Sequence, residues 1–253
     1  MQYDQAIFKI GGKILENSKN IESTISQLTQ LYDENILQKI LLIPGGGSYA
    51  NFIRKIDEEL RLGDDLAHWM AVYSMNYNGI ELNRKYPKLE CIEELEKFQD
   101  AKKKFCIFLP YTYLRKNDTL PHKWDVSSDS IALYFAYKLQ LNRCFLIKDV
   151  EGIYSFNKEL IKKITTFQYD ELKKSKKLAE IGVDPNNFKK SKPIDSYLLT
   201  LIEQNRIPCY LLNGSFNHQR IIEFFNTSIP DKIKIYTKIV KKIAFNAMNN
   251  LKY

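Results

Sequence analysis

The sequence lacks any apolar run of the ~18 residues that a membrane-spanning helix requires. Its N-terminal segment also lacks the basic and apolar regions of a secretory signal peptide. From these two absences we expect a cytoplasmic protein that does not cross a membrane. Hydrophobic residues make up 44% of the 253 residues, which is enough to build the core of one large α/β domain.

Cysteine is also scarce, and none of the four cysteines forms a CxxC pair. Short apolar runs contain or flank all of them: Cys91, Cys106, Cys144 and Cys209. We therefore expect neither a zinc site nor a redox centre. The pattern indicates reduced cysteines that pack as small apolar residues.

The formal net charge is +8, and such a surplus can bind nucleic acid, attract small anions or simply be solvated. No nucleic-acid motif and no aromatic RNP pattern accompanies the charge. Lysine is abundant throughout the chain, so we favour a solvated surface and expect no nucleic-acid partner.

Short apolar strands alternate with helical patterns along most of the chain. Strands are predicted at 6–10, 39–44, 105–109, 144–148 and 208–212, with a weak one at 89–92. Helices are predicted at 21–35, 48–60, 66–82, 194–204 and 220–225, and another ends near Leu139. This alternation is typical of βαβ units, so we expect a mostly parallel sheet covered on both faces. Residues 155–193 are weakly patterned and indicate loops and a small subdomain.

Glycines follow the first two predicted strands. Gly11-Gly12 closes the first strand and Gly45-Gly46-Gly47 the second, while Lys148-Asp149 and Asn213-Gly214 follow two later strands. Ligands of open α/β sheets bind beyond the carboxyl ends of the strands. Glycine turns there let backbone N–H groups converge on an anion. We therefore expect these loops to share one anion-binding site.

A loop that becomes a helix occupies residues 120–136. Asp125 and Asp129 are four residues apart, and Ser127, Ser128 and Asp129 are good N-cap types before apolar residues at helical spacing. The N-terminal end of a helix favours anions. This stretch alone is equally compatible with an ordinary capped helix, and it is the glycine loops that favour a phosphate site.

Lys9 is a charged residue inside an otherwise apolar predicted strand. Burying it is unfavourable without an anionic partner, which a phosphoryl group would provide; alternatively, its side chain reaches solvent near the strand end. The sequence contains no G-x-x-x-x-G-K-[ST], no G-x-G-x-x-G and no protein-kinase signature. A phosphoryl-transfer enzyme would here depend on lysines, glycine turns and carboxylates.

Four motifs occur in an order that is typical of one family: Lys9-Ile-Gly-Gly12, Pro44-Gly-Gly-Gly47, Asp125-Val-Ser-Ser-Asp129 and Ile147-Lys-Asp-Val-Glu-Gly-Ile-Tyr154. In these motifs the chain resembles the amino acid kinase superfamily, which includes aspartate, glutamate, acetylglutamate, uridylate and isopentenyl phosphate kinases. The resemblance covers about residues 5–229. It implies a three-layer αβα sandwich around a mainly parallel sheet, with a catalytic domain over residues 1–230. It also implies ATP and Mg²⁺ as cofactors and a homo-oligomer, a dimer or higher.

The same resemblance implies roles for individual residues. The catalytic residues would be Lys9, Asp129 and Lys148, with Lys9 on the transferring phosphoryl group and Asp129 orienting the lysines. ATP would lie on Gly11, Gly12, Asp149, Gly152 and Tyr154. The acceptor would lie on Gly45, Gly46, Gly47, Asn51, His122 and Asp125, with His68 as a further possible ligand. No protein ligand to a metal is expected.

The chain departs from the family pattern at two places. Lys13 stands where the family often has Ser, and the chain lacks the G-G-M-like loop that precedes a second catalytic lysine in several members. Four lysines are candidates for that second role: Lys148, Lys189, Lys190 and Lys192. We favour Lys148 because it ends a predicted strand beside the nucleotide segment.

Other segments narrow the expected acceptor. Asn51 stands where isopentenyl phosphate kinases have a histidine that holds the acceptor phosphate, which counts against that substrate. Residues 65–71, 120–125, 194–195 and 212–214 resemble an archaeal-type branch that includes the aminomethylfuran phosphate kinase. Enzymes of that branch convert a phosphate monoester to a diphosphate. We therefore expect an ATP-dependent phosphotransferase that acts on a small anionic metabolite, such as an aminomethylfuran phosphate.

Two groups of alternatives stay open. The chain could be a non-catalytic protein of the same fold that binds or stores a nucleotide or an oxyanion. It could also be an isopentenyl phosphate, uridylate or amino acid kinase. Consumption of ATP with a panel of phosphorylated metabolites and amino acids would distinguish these readings.

The last segment, 231–253, extends beyond the expected catalytic domain. Ile239, Ile243, Ala247 and Leu251 follow helical spacing among lysines. We predict a basic helical extension that packs on the body of the protein or on another subunit.

Overall fold

The computed structural model describes residues 4–117, 119–179 and 193–242. Three of the candidates for the second catalytic lysine, Lys189, Lys190 and Lys192, lie outside these residues. Within the described residues the chain forms one eight-stranded sheet with helices on both faces.

The strands of the described chain are β1 (Gln5–Ile10), β2 (Lys39–Pro44), β3 (Glu90–Ile92), β4 (Lys104–Phe108), β5 (Cys144–Lys148), β6 (Lys163–Thr165), β7 (Cys209–Asn213) and β8 (Thr237–Val240). The helices are α1 (Gly12–Leu15), α2 (Ser18–Asp33), α3 (Gly47–Leu60), α4 (Asp64–Lys85), α5 (Glu96–Gln99), α6 (Pro110–Lys116), α7 (Ser128–Lys138), α8 (Thr166–Lys174), α9 (Ser196–Asn205) and α10 (Arg220–Phe225). A short 3₁₀ turn spans Asp231–Ile233.

The sheet has the strand order β3-β4-β2-β1-β5-β7-β8-β6. Its neighbouring strands run parallel, except that β7 and β8 are antiparallel. Strand β1 lies between β2 and β5, with Lys9 level with Ile43 on one side and Leu146 on the other. The turns that follow β1, β2 and β5 therefore meet at one edge of the sheet. The predicted mostly parallel sheet is confirmed.

Side chains of β1 alternate between two buried clusters on opposite faces of the sheet. Ile7 belongs to a cluster that includes residues of α7 and α9, whereas Phe8 and Ile10 belong to a cluster that includes residues of α2 and α10. Helices thus cover both faces, which confirms the three-layer αβα sandwich. Because alternate residues of a strand share a face, Lys9 lies on the same face as Ile7 and α7.

Helix boundaries differ from the predicted ones where local capping decides them. Helix α2 begins at Ser18 because the side chain of Asn17 accepts a hydrogen bond from the backbone N–H of Asn20 at 3.1 Å. Pro110 follows the predicted strand 105–109 and is the first residue of α6, a position where the missing N–H of proline is not needed. The capped helix α8 and strand β6 lie in the region predicted as loops and a small subdomain.

The prediction of a helical extension was wrong for the described part of 231–253. Residues 237–240 form β8, which pairs with both β7 and β6 inside the sheet. The physical reason is a period of two: Thr237 and Ile239 are buried, and Lys238 and Val240 between and after them are half-buried. Residues 243–253, with Ile243, Ala247 and Leu251, lie outside the described residues.

The four cysteines are free. Cys106, Cys144 and Cys209 are buried, and Cys91 is half-buried. Burial raises the pKa of the Cys106 thiol to about 12, which disfavours the reactive thiolate. These placements agree with cysteines that pack as apolar residues.

Across the described ranges, we find no helix with the length and apolar character needed to cross a membrane. The cytoplasmic location expected from the sequence stays a prediction.

Candidate active site

A cavity of about 290 Å³ opens at the sheet edge beyond β1, β2 and β5. The two glycine turns and the end of β5 form its floor, α3 and α4 form one wall, and the segment leading into α7 forms another. Three of the four predicted loops therefore come together around one cavity, at the strand ends where ligands of α/β sheets bind. The fourth, Asn213-Gly214, is not among the described residues that line it; the carbonyl of Gly214 accepts from the Thr24 hydroxyl at 2.9 Å.

The centre of the cavity is a buried cluster of two lysines and one aspartate. Lys9 Nζ lies 2.8 Å from Asp129 Oδ1. Lys148 Nζ donates to both carboxylate oxygens of Asp129, at 2.8 and 2.7 Å. Asp129 is only 2% exposed and Lys9 only 4%, so the three charges compensate one another largely out of water. The cluster carries one net positive charge, which suits a transferring phosphoryl group.

Burial and mutual attraction shift the pKa values of the cluster in different directions. Burial lowers the pKa of Lys9 to about 8, against the opposing attraction of Asp129. For Asp129 burial alone would raise the pKa, but Lys148 and Lys9 together outweigh it and lower the pKa to about 2. Burial also acts to lower the pKa of Lys148, but Asp129 reverses this and raises it. Asp129 is therefore ionised at neutral pH, and of the two lysines Lys9 loses its proton more readily.

Helix α7 places Asp129 at the lysines because its first turn is anchored. The Ser127 side chain caps the helix and accepts from the N–H of Asp129 at 3.3 Å. Asp195 in turn accepts from the backbone N–H and the hydroxyl of both Ser127 and Ser130, at 2.5 to 3.0 Å. It also caps α9 by accepting from the N–H of Leu198 at 2.7 Å. One carboxylate thus ties two helix starts together beneath the cluster.

Asp195 is a residue that the predicted site did not include. The sequence contained one usable signal, because an Asp directly before the apolar helix 196–205 is a typical N-cap. Nothing in the sequence indicated that the same carboxylate would also hold the start of α7, some 65 residues earlier in the chain.

The two glycine turns contact each other. A side chain on Gly12 would place its Cβ 2.7 Å from the Cα of Gly47, and Gly47 has a φ of +56°. A side chain larger than hydrogen would therefore separate the turns. The N–H of Gly11 donates to Ile147 O at 2.8 Å, and the N–H of Gly45 donates to Ile10 O at 2.9 Å. These two amides serve the sheet, so anion-binding donors would come from the following residues, at the starts of α1 and α3.

Of the predicted nucleotide segment, only its first part borders the cavity. Asp149 lines the cavity and lies 3.5 Å from Lys13 Nζ. Among the described residues that line the cavity, neither Gly152 nor Tyr154 is found. A Cβ on Gly152 would collide with the side chain of Thr237 in β8, so close packing against β8 accounts for this glycine.

The predicted acceptor residues divide in the same way. Gly46, Gly47 and Asn51 line the cavity, and so does His68. Gly45, His122 and Asp125 are not among the described lining residues. The His122 ring stacks on His68 with ring centroids 4.4 Å apart, and its Nδ1 lies 2.7 Å from Asp65 Oδ1. Asp125 is exposed, and its backbone carbonyl accepts from Tyr197 N at 3.2 Å.

Two further residues of the cavity lining, Arg54 and Trp124, were not predicted. Both line the cavity, and the Arg54 guanidinium lies 4.6 Å from the centroid of the Trp124 ring. Trp124 also donates from Nε1 to Asp57 Oδ2 at 2.7 Å. Within the part of the chain that the structure describes, no group of three or more His, Cys, Asp or Glu side chains is arranged to hold a metal ion.

Comparison with protein families finds a match over residues 4–213 to the model described as the amino acid kinase family. Among curated proteins, the chain is similar to the [5-(aminomethyl)furan-3-yl]methyl phosphate kinase of Methanocaldococcus jannaschii. The two are 29% identical over 239 residues, which cover 92% of this chain and 97% of that protein.

Solved structures share the fold. The UMP kinase from Ureaplasma parvum matches with a TM-score of 0.63 at 17% identity, over 95% of this chain and all (100%) of that chain. The aspartate kinase from Synechocystis matches with a TM-score of 0.63 at 11% identity, over 96% of this chain but 40% of that chain. At these identities the likeness concerns the arrangement of the sheet and helices alone.

Proposed function

The chain belongs to the amino acid kinase family, and from that premise we propose that it transfers the γ-phosphoryl group of ATP to the phosphate of a small phosphate monoester. The observation that carries the proposal is the buried cluster of Lys9, Asp129 and Lys148 at the junction of two glycine turns. It combines fixed positive charge with backbone amides at the sheet edge, the arrangement that phosphoryl transfer depends on.

In this proposal the donor and the acceptor occupy opposite sides of the cluster. The N-terminal end of α1, with Gly12 and Lys13, faces the phosphates of ATP, and Asp149 marks the beginning of the nucleotide side. The N-terminal end of α3, with Gly46 and Gly47, faces the acceptor phosphate. Mg²⁺ would accompany ATP and neutralise charge on its phosphates. Since Asp129 is already bound by two ammonium groups, we assign it to holding the lysines.

The chemical step then needs no covalent intermediate on the protein. An oxygen of the acceptor phosphate forms a bond to the γ-phosphorus while the bond to the leaving oxygen of ADP breaks, and ADP takes the electron pair. Lys9 and Lys148 stabilise the negative charge of the transferring group, and Asp129 holds both ammonium groups in position. Positioning and charge stabilisation of this kind are general sources of rate in phosphoryl transfer.

The acceptor class is supported by the charge of the cavity. Among the described residues that line the cavity, five are cationic, Lys9, Lys13, Arg54, Lys123 and Lys148, and three are carboxylates, Glu16, Asp64 and Asp149. A positive cavity concentrates an anionic acceptor. The similar protein of Methanocaldococcus jannaschii is named for a phosphate monoester substrate, so we take an aminomethylfuran phosphate as the first acceptor to test.

We also propose that the protein self-associates through one face of α4. Leu66, Tyr73, Tyr77 and Ile80 are each between 43% and 56% exposed, and their spacing places them on one side of the helix. Tyr49 of α3 extends this face by an edge-on contact with Tyr77 at 4.8 Å. Apolar faces of this kind mark association sites. Light scattering of wild type and of Tyr73→Glu should show a loss of the larger species in the variant.

A substrate panel tests the proposed function. Purified protein with Mg²⁺ and ATP is assayed for ADP release with phosphate monoesters, UMP, isopentenyl phosphate, aspartate and glutamate, and the product is identified by ³¹P NMR. We expect turnover with a monoester and the two coupled resonances of a diphosphate. Turnover confined to an amino acid would refute the proposed acceptor class, and ATP binding without turnover on any acceptor would favour a nucleotide-binding or storage protein.

A further inference from the structure

One face of α3 forms a continuous wall of the cavity. Gly47, Ala50, Asn51 and Arg54 all line it, and this is the i, i+3, i+4, i+7 spacing of one helix face. Arg54 is seven residues beyond Gly47, roughly 10 Å along the helix axis. Because helical side chains lean toward the N-terminus of their helix, Arg54 leans back toward the turn that faces the acceptor phosphate.

The guanidinium of Arg54 is held in place without satisfying its donors. It lies over the Trp124 ring, with its central carbon 4.6 Å from the ring centroid, a cation–π contact that restricts where the group can move. Its Nε is buried and has no hydrogen-bond partner among the described residues. A buried donor without an acceptor is unfavourable, so the free protein holds this group ready for a ligand.

The first carboxylate after Arg54 in α3 is engaged elsewhere. Asp57 is three residues further along α3, a spacing at which opposite charges attract. However, its Oδ2 accepts from Trp124 Nε1 at 2.7 Å and its Oδ1 accepts from Gly63 N at 3.2 Å. Trp124 thus contributes twice: its ring supports the guanidinium, and its N–H occupies the competing carboxylate.

Arg54 differs in this respect from the three lysines beside the glycine turns. Lys9 and Lys148 are bound by Asp129, and Lys13 lies 3.5 Å from Asp149. These lysines are partly neutralised before any ligand arrives. Arg54 can give its full charge and its forked donors to an incoming anion, a geometry that matches a phosphate group.

We infer that Arg54, oriented by Trp124, is the residue that selects the acceptor by binding its phosphate group. This inference rests on the proposed function, and it names the residue that makes a phosphate monoester the preferred acceptor. The ligand chemistry is a phosphate dianion, which a monoester and free inorganic phosphate share.

Kinetics provide the first test. Arg54→Gln removes the charge and should raise the KM for the phosphate monoester by about 10- to 100-fold, the loss of a charge-assisted contact. The kcat and the KM for ATP should stay within a few-fold, because binding that is equal in the ground and transition states affects KM alone. Arg54→Lys keeps the positive charge but loses the forked pair of donors, so its KM for the monoester should lie between those of wild type and Arg54→Gln. Lys55→Gln, the exposed neighbour on α3, is the matched control and should behave as wild type.

A second test does not require turnover. Trp124 is one of two tryptophans, so in a Trp69→Phe background it reports directly on the stacked guanidinium. In this background, titration with inorganic phosphate at constant ionic strength should change Trp124 fluorescence in the parent protein, which keeps Arg54, and in the Lys55→Gln control. It should not change the fluorescence of the Arg54→Gln variant. Melting curves of each variant establish that it is folded.

The outcomes separate this inference from the proposed function. Equal acceptor KM and equal phosphate titrations in wild type and folded Arg54→Gln would overturn the role of Arg54 while leaving the kinase intact. A protein that binds phosphate through Arg54 yet phosphorylates no monoester would retain the anion site and overturn the proposed function. A third outcome is that Arg54→Gln raises the KM for the monoester while free phosphate leaves Trp124 fluorescence unchanged in every protein. That outcome supports the inference and shows that Arg54 recognises the esterified phosphate.

Discussion

The two ends of the cavity are built on opposite principles. At the transfer end, Lys9, Asp129 and Lys148 are buried and satisfy one another, with Asp129 accepting from both lysines at 2.7 to 2.8 Å. At the acceptor end, Arg54 is stacked on Trp124 with a buried donor that has no partner among the described residues. In the proposed reaction, the charges that stabilise the transferring group are therefore in position before substrate binds, whereas the contact that selects the acceptor forms only when the acceptor binds. Changes at the transfer end should therefore affect stability and kcat, and changes at the acceptor end should affect KM.

Asp129→Asn should break the transfer end most severely. It leaves two buried ammonium groups without their anion, and removing one partner of a buried ionic cluster typically costs about 3–5 kcal/mol of the free energy of unfolding. We also expect kcat to fall by about 10²–10³ because the lysines lose their position. Denaturant unfolding and steady-state kinetics measure the two effects.

Asp125→Asn is the matched control for that change. Asp125 lies four residues before Asp129 and is exposed. Its backbone carbonyl accepts a hydrogen bond from Tyr197 N, and this bond does not involve the side chain that is changed. We expect its stability to stay within about 0.5 kcal/mol of wild type. If the two variants were equally stable, the cluster would not hold α7 in place and the contrast between the two ends would fail.

Lys9→Met should affect rate more than stability. Asp129 retains both hydrogen bonds from Lys148, so the buried carboxylate keeps a counter-charge. Loss of one group that stabilises the transferring phosphoryl should lower kcat by about 10²–10³, with the KM of the acceptor nearly unchanged. Lys13→Met, at a partly exposed contact with Asp149, should have a smaller effect on kcat. A large rise in acceptor KM in Lys9→Met would show that the two ends are not separable.

The pH dependence should distinguish Lys9 from Arg54. Burial lowers the pKa of Lys9 to about 8, so kcat should fall, approaching tenfold per pH unit, as the pH rises above about 8. Unfolding would not explain this loss. The folded chain releases the Lys9 proton at a lower pH than the unfolded chain, whose lysine has a pKa of 10.5, so Lys9 by itself favours folding as the pH rises between these values.

Lys9→Arg checks this assignment, because a guanidinium stays charged over the whole range. Its kcat should be lower than that of wild type but flat from pH 7 to 10, while the acceptor KM set by Arg54 stays constant in both proteins. An alkaline limb that persists in Lys9→Arg would assign the titration to another group.

Asn51→Ala should give the smallest effect. Asn51 lines the cavity about one turn before Arg54 and is exposed. Its amide can offer the acceptor only an uncharged hydrogen bond, and water competes for that bond. We expect the acceptor KM to rise about 2- to 10-fold, with kcat unchanged. Lys55→Ala serves as the reference on the same helix. An effect of Asn51→Ala larger than that of Arg54→Gln would place the specificity contact on the amide.

Several features of the site could be predicted because they are local. Lys9 breaks an apolar strand pattern, and two and three glycines follow the first two strands, so both the buried charge and the sheet-edge turns could be inferred. Three N-cap candidates before an apolar helix, Ser127, Ser128 and Asp129, predicted the start of α7, and in the structure Ser127 is the cap. The predicted sheet was right because the alternation of strands and helices implies parallel pairing.

Other features could not be predicted, because they depend on residues far apart in the chain. The sequence left four lysines as candidates for the second catalytic position and favoured Lys148 only because it ends a predicted strand. In the structure, the parallel pairing of β1 with β5 brings Lys148 beside Asp129. The stack of Arg54 on Trp124 similarly joins α3 to a loop 70 residues later. Strand β8 was mistaken for a helix, since four residues of alternating burial are too short to outweigh a longer helical spacing.

Which chemical groups the protein has, and at which strand and helix ends they stand, can be inferred from the amino-acid sequence alone. Local periodicity and the conformational demands of glycine are sufficient for that, because they act over a few residues. Only the tertiary structure decided which charges neutralise one another and which remain for a ligand. The reason is that Asp129 meets Lys9 and Lys148, and Asp57 meets Trp124 in place of Arg54, through strand order and helix packing that no local pattern encodes.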